Sequence, residues 1–379
     1  MAVSLLQSRE VSDLCIGKPA IRSLPSSATV VEALIALKRG GDAVVGVWDS
    51  PEKKGITGKV CMVDVLCFLC AEENISAPAA ALDAPVSALL PKDPALVCRV
   101  EPHSSVLEAL DAILDGAHTL VVPIQPRKKL TGGGDLCWLT PEDFVRFFLN
   151  SIAFLSPASS LSVSSLGVIS RANLSVLHHD PALSALPLVR AALADHISVA
   201  VLSDDGRFAG EISPSTLALC DESVAAALST LSAGDLIAFI DCGGAPPDSA
   251  VRAVKASLAD AGLVGMLELL ESDFSSPSSS TSSSSSCSSS DEESPPAPAM
   301  VKRVRSTGSY SARMGRRSEE AIVCHPGSSL VAVMVQALAH RVSYVWVVDD
   351  EYRLVGIVGF LDMLRVFREH LQQPFEGEA

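Results

Sequence analysis

The chain of 379 residues is 48% apolar but only 4% aromatic, with a formal net charge of −15. That length allows two or three domains with proper cores. The acidic balance argues against nucleic acid as a partner of the whole molecule, because affinity for phosphate backbones comes mainly from neutralising them. No apolar run reaches the roughly 18 residues that a bilayer span needs. Val65–Ala71 and Leu236–Ile240 are short, flanked by acids, and read as buried core. Met1 to Glu10 shows neither a secretory layout nor an Arg/Ser-rich transit peptide. The ten cysteines are scattered without a framework, as expected of free thiols in a reducing compartment. These features predict a soluble intracellular protein, cytoplasmic, or nuclear if a basic stretch at 302–317 serves as an import signal.

Four segments share one pattern: an opening proline, a helix-period stretch of about a dozen residues, and a β-rich run. The first runs from Pro25-Ser26-Ser27 through a helix bearing Val30, Val31, Leu34 and Leu37 to Val44–Val47. The second opens at Pro102-His103-Ser104-Ser105 and reaches Leu120–Ile124, and the third opens at Pro181 and reaches Ser198–Leu202. The fourth opens at Pro326-Gly327-Ser328-Ser329 and reaches Tyr344–Val348. A hydroxyl before each helix can cap its first free N–H groups, and the apolar spacing gives one buried face. After each β-run come a polar turn, a second strand and a second helix.

Each unit is therefore β-α-β-β-α, with a three-stranded sheet too small to stand alone. The expected organisation places repeat one at 11–75, repeat two at 85–150, repeat three at 165–230 and repeat four at 321–372. Repeat one should pair with two, and three with four. Between the third and fourth lies an extra segment, 231–271, read as a strand at Leu236–Ile240 and one or two helices over Val251–Leu270. It is followed by a linker, 272–320, almost pure serine from Ser275 to Ser290 and then basic, which has nothing to bury and should be disordered. Ser306 and the serines before Asp291 are candidate phosphorylation sites.

The second strand and its turn carry the chemistry. Repeat one reads Gly58-Lys59-Val60-Cys61-Met62-Val63-Asp64, and repeat two reads Trp138-Leu139-Thr140-Pro141-Glu142-Asp143. Repeat three reads Gly210-Glu211-Ile212-Ser213-Pro214-Ser215-Thr216, and repeat four Gly356-Ile357-Val358-Gly359-Phe360-Leu361-Asp362. A hydroxyl at the strand end can bond a phosphate or cap the next helix. A carboxylate three residues on can accept two hydrogen bonds from vicinal hydroxyls such as those of a ribose, and the helix N-terminus favours anions. The same Asp or Thr also serves simply as a cap.

The Gly-apolar-apolar-Thr/Ser-x-x-Asp pattern, repeated in register, resembles the cystathionine-β-synthase (CBS) domain family. The four-repeat layout with a serine-rich insertion is similar to plant CBS-domain-containing proteins of the CBSX type. The resemblance covers about 11–221 and 321–370 and implies an α/β (α+β) fold of four CBS repeats in two paired modules. It also implies a non-enzymatic regulator that binds AMP, ATP or S-adenosylmethionine between paired repeats, needs no cofactor, modulates a partner protein and tends to dimerise. The site residues it implies are Thr140, Asp143, Asp64, Asp362 and Ser213. Only Thr140 with Asp143 keeps both positions; Cys61 and Gly359 replace the hydroxyl, and Thr216 replaces the acid. The second module should thus be the weaker site, and the competing reading is an interaction scaffold that has lost sensing.

Other chemistry is thinly represented. Cys67-x-x-Cys70 reads as core cysteine, because no second pair with metal spacing accompanies it. His178-His179-Asp180 and Asp195-His196 read as loop residues bounding a helix. Thr131-Gly132-Gly133-Gly134 is a turn rather than a phosphate loop, since no Gly-Lys-Ser/Thr follows.

Overall fold

The computed structural model describes residues 6–40, 43–49, 55–90, 97–117, 119–124, 135–152, 160–171, 173–240, 246–271 and 321–372. The serine-rich stretch, the 302–317 basic stretch, the Thr131–Gly134 turn and the candidate phosphorylation sites lie outside these residues.

Four three-stranded sheets form, one per repeat. Repeat one has β1 (Ser23–Pro25), β2 (Val44–Trp48) and β3 (Gly58–Cys61), and repeat two has β4 (Val97–Arg99), β5 (Thr119–Ile124) and β6 (Asp135–Leu139). Repeat three has β7 (Ser175–Leu177), β8 (Val199–Leu202) and β9 (Phe208–Ile212), and repeat four has β10 (Val323–Cys324), β11 (Tyr344–Val348) and β12 (Leu354–Gly359). In each sheet the first two strands pair parallel and the last two antiparallel. A parallel pair needs a crossover, and the first helix of each repeat supplies it: Val30–Gly40, Val106–Leu114, Ala182–Asp195 and Leu330–His340. Ser105 and Glu108 cap one such helix reciprocally, as Thr29 and Glu32 do another. The first helices of repeats three and four end on left-handed residues, His196 (φ 56°) and Arg341 (φ 59°), whose amides close the last turn.

The strand expected at Leu236–Ile240 is part of a helix, Ala233–Ile240. Ser232 receives the amide of Asp235, and Ala233, Leu236, Phe239 and Ile240 are buried at helical spacing. A five-residue apolar run does not by itself distinguish strand from helix. Two more helices follow, Asp248–Asp260 and Val264–Glu271.

That helix is one of four related lead-ins: Val11-Ser12-Asp13-Leu14, Val86-Ser87-Ala88-Leu89, Val163-Ser164-Ser165-Leu166 and Ala233-Gly234-Asp235-Leu236. Each lies on the partner repeat rather than on the repeat it precedes. The amide of Val11 bonds Ser104 O at 2.9 Å, Val86 bonds Ala28 O at 2.7 Å, Val163 bonds Ser328 O at 2.9 Å, and Ala233 bonds Asp180 O at 2.8 Å. The first amide of the partner's helix answers each time, from Val106 to Arg9 O, Val30 to Ala84 O, Leu330 to Leu161 O and Ala182 to Leu231 O. The exchange ties repeat one to two and repeat three to four.

The helices pack the other way. One apolar core joins repeats one and three, and another joins repeats two and four, so the two modules close on each other through their helical faces. Ion pairs border both cores: Lys38 Nζ to Glu222 Oε2 at 2.5 Å, and Arg368 to Asp111 through two bonds of 2.6 and 3.1 Å. No helix among the described residues is long and apolar enough to cross a membrane.

Candidate ligand-binding site

The strand-to-helix turns sit between the paired sheets of each module. In repeat two, Asp143 Oδ2 accepts the Thr140 amide at 2.8 Å and its hydroxyl at 3.1 Å. Lys18 Nζ reaches the same oxygen at 2.6 Å and Trp138 O at 2.8 Å. In repeat one, Asp64 Oδ2 accepts the Cys61 amide at 2.8 Å. In repeat four, Asp362 accepts the Gly359 amide at 3.0 Å on Oδ2, and the Ser170 hydroxyl at 3.0 Å and Arg365 at 3.2 Å on Oδ1. Every one of these carboxylates is thus a cap as well as a candidate ligand group.

Burial pushes the Asp64 carboxyl above its usual range, partly offset by the Cys61 hydrogen bonds and by the positive charges of Arg190 and Lys59. Asp362 is raised by burial too, against the Gly359 and Ser170 bonds and Arg365. An amide side chain could also accept the cap N–H at this third helical position, and perturbed carboxylates in a cleft are candidates for function. A raised folded-state pKa means that the folded chain takes up the proton more readily than the unfolded one. Stability from Asp64 is therefore lost as pH rises from the unfolded carboxylate range through the folded value. Asp64→Asn, which keeps an oxygen for the Cys61 amide, will raise the urea midpoint at pH 7. The gain over the parent chain will shrink toward pH 3; a constant or inverted difference would contradict this account.

The two modules differ in what fills the space between their sheets. In module one, Lys59 on β3 reaches across to Thr119 Oγ1 on β5 at 2.7 Å. Burial holds its ammonium below the usual lysine range, and among the described residues no carboxylate lies within ion-pair distance. At the matching position of module two stands Glu211 on β9. It accepts the Tyr344 hydroxyl at 2.9 Å and the Trp346 indole N–H, both from β11. Once that proton is given to Glu211, the Tyr344 oxygen can accept from Ser213 Oγ, 3.0 Å away, and Ser213 is buried at 1% exposure. Phe208 packs on Trp346 with ring centroids 5.2 Å apart. A small pocket between Ser213, Thr216, Leu217, Ile237 and Ile240 holds about 10 Å³, roughly one water.

The motif glycine is required by backbone at Gly356, whereas at Gly58 and Gly210 the neighbours are flexible side-chain ends. A Cβ at Gly356 would lie 2.5 Å from Ser170 O, one at Gly58 2.7 Å from Leu90, and one at Gly210 3.1 Å from Ile237. All three neighbours belong to the partner repeat's lead-in. In repeat two the position is Cys137, which neighbours Cys15 of the lead-in. Cys70 is buried and Cys67 half-buried on the apolar Met62–Leu69 helix and its cap. His196 is a helix cap and His179 faces Asp204, and among the described residues no three His, Cys, Asp or Glu side chains are grouped to hold a metal.

The CBS domain family profile matches residues 317–369. The CBS domain-containing protein CBSX5 of Arabidopsis thaliana is 43% identical over 402 residues, covering 98% of this chain and 99% of that protein. The Arabidopsis SNF1-related protein kinase regulatory subunit gamma-like PV42b is 22% identical, covering 97% of each. Among solved structures, protein MJ1225 of Methanocaldococcus jannaschii superposes with a TM-score of 0.57. It is 15% identical over 95% of this chain and 100% of that one, a likeness of fold alone. Four repeats joined by exchanged lead-ins, with full-length similarity to such a relative, make the chain a member of the CBS domain-containing protein family.

Proposed function

We propose that this chain is a non-enzymatic regulator whose first module binds an adenosyl ligand and thereby alters a partner protein. The observation that carries it is the repeat-two turn, where Thr140 and Asp143 stand together at a helix N-terminus between paired sheets. A carboxylate there can accept the two ribose hydroxyls, while the helix N-terminus and the Lys59 ammonium suit the phosphate. The family-wide use of such clefts and the gamma-like description of one relative support a protein partner of the kinase class. Module two favours the other reading, that of a scaffold, because Tyr344, Trp346 and Glu211 occupy its cleft and Thr216 replaces the acid.

Calorimetric titration with AMP, ATP and S-adenosylmethionine tests the reading. Asp143→Ala should weaken the ligand on the order of 10- to 100-fold, the worth of a charge-assisted hydrogen bond. Lys59→Met should weaken AMP and ATP but not S-adenosylmethionine, which carries no phosphate. Heat from none of the three, or unchanged affinity in Asp143→Ala, would sink the reading.

A further inference from the structure

We infer that the N-terminal lead-in is an internal gate on this same site: Lys18 holds Asp143 in the ligand-free chain, and an incoming cis-diol must displace it. The inference rests on the assignment of Asp143 to the ligand.

The geometry forces a competition. Asp143 Oδ2 already has three donors, the amide and hydroxyl of Thr140 and the ammonium of Lys18. A cis-diol gripping a carboxylate needs a lone pair on each oxygen, and an oxygen with three donors has none to spare. The Thr140 donors are built into the turn. Lys18 is the donor that comes from elsewhere in the chain, and its long side chain can leave without disturbing the turn.

The arrangement recurs at matching positions, which sets it apart from an incidental surface pair. Lys18 follows the Leu14 lead-in as Ser170 follows Leu166 and Ile240 follows Leu236. Ser170 Oγ donates to Asp362 Oδ1 at 3.0 Å, and Ile240 lines the pocket that holds Thr216. Opposite Asp143 and Asp362 the lead-in thus places a donor, cationic in the module with the intact turn; the matching position before repeat two, Asp93, lies outside the described residues. Opposite Thr216 it places an aliphatic side chain. Lys18 and Asp143 are both largely withdrawn from solvent, at 22% and 15% side-chain exposure, so the pair is only partly screened. The backbone around Lys18 is pinned on both sides, with the Val11 and Ser12 amides on Ser104 and Pro102 and the Ile21 amide on Leu136 O at 2.7 Å. The side chain can therefore swing away while the segment stays docked.

Titration of full-length parent chain and Lys18→Met with AMP and with 2′-deoxy-AMP tests the gate. Lys18→Met should bind AMP on the order of 10-fold more tightly, and the gain should vanish for the 2′-deoxy compound, which lacks the diol. Equal or weaker binding of AMP by Lys18→Met overturns the gate, the weaker case making Lys18 a ligand contact instead. An equal gain with both compounds overturns it as well, since the lysine would then act only through general charge. Absence of AMP binding by either protein overturns both the gate and the ligand assignment on which it stands. Matching thermal melts of the two proteins confirm that the comparison is between folded states.

Discussion

Trp346→Ala will cost about 3–5 kcal/mol, the range for removing a large aromatic from a core, and the loss will be felt across both sheets of module two. Trp346 is 1% exposed on β11 and packs against Phe208 of the facing sheet and Tyr344 of its own, at 5.2 and 6.0 Å between centroids. Its indole N–H also serves Glu211. Truncation removes the packing and takes one of the donors from a half-buried carboxylate, and both effects point the same way. Trp346→Phe separates them: it keeps most of the ring contact and loses the donor, so it should cost about 1–2 kcal/mol. Chemical denaturation of the three proteins reads these values. Equal costs for Ala and Phe would mean that the hydrogen bond, not the packing, holds the cleft shut. An AMP stoichiometry unchanged in Trp346→Ala is also expected, because opening the cleft restores neither an acid at Thr216 nor a hydroxyl at Gly359 beside Asp362.

The repeats, their pairing and the turn residues were legible because helix and strand periods survive in each copy and the Asp-bearing turns fall in register. The four exchanged lead-ins were not recognised. Val11-Ser12-Asp13-Leu14 and Ala233-Gly234-Asp235-Leu236 share a pattern of only a few residues, and one of them read as a strand because a short apolar run carries no period. A search for a valine or alanine and a leucine three residues on, placed just before each repeat, would have found them. What pattern alone leaves open is where such a segment docks. Nothing in Lys18 announces Asp143, since the two are far apart in sequence and an ion pair across a domain exchange has no local signature. The same holds for Tyr344 and Glu211: each looks ordinary in its strand, and only the facing of the two sheets turns Ser213 from a candidate ligand group into an internal hydrogen-bond partner.

Removal of residues 1–18 will destabilise repeat two rather than repeat one, even though the segment precedes repeat one in the chain. Leu6 and Val11 are buried at 1% and 0% exposure in the core shared by repeats two and four, with Cys15 beside them. Each fully buried aliphatic side chain is worth about 1.5–3 kcal/mol, so the truncation should cost on the order of 3–6 kcal/mol. It also strips the Val106 amide of its acceptor, Arg9 O, at the start of the second repeat's first helix. Hydrogen exchange locates the damage: amides of Val106–Leu114 and Glu142–Asn150 should lose protection before those of Val30–Gly40. Loss of protection first in Val30–Gly40 would contradict the exchanged arrangement. The two perturbations of this segment therefore separate its roles. Truncation removes the apolar anchor together with Lys18, whereas Lys18→Met leaves Leu6, Val11 and Cys15 in place, so a gain in ligand affinity there does not come from a lost anchor.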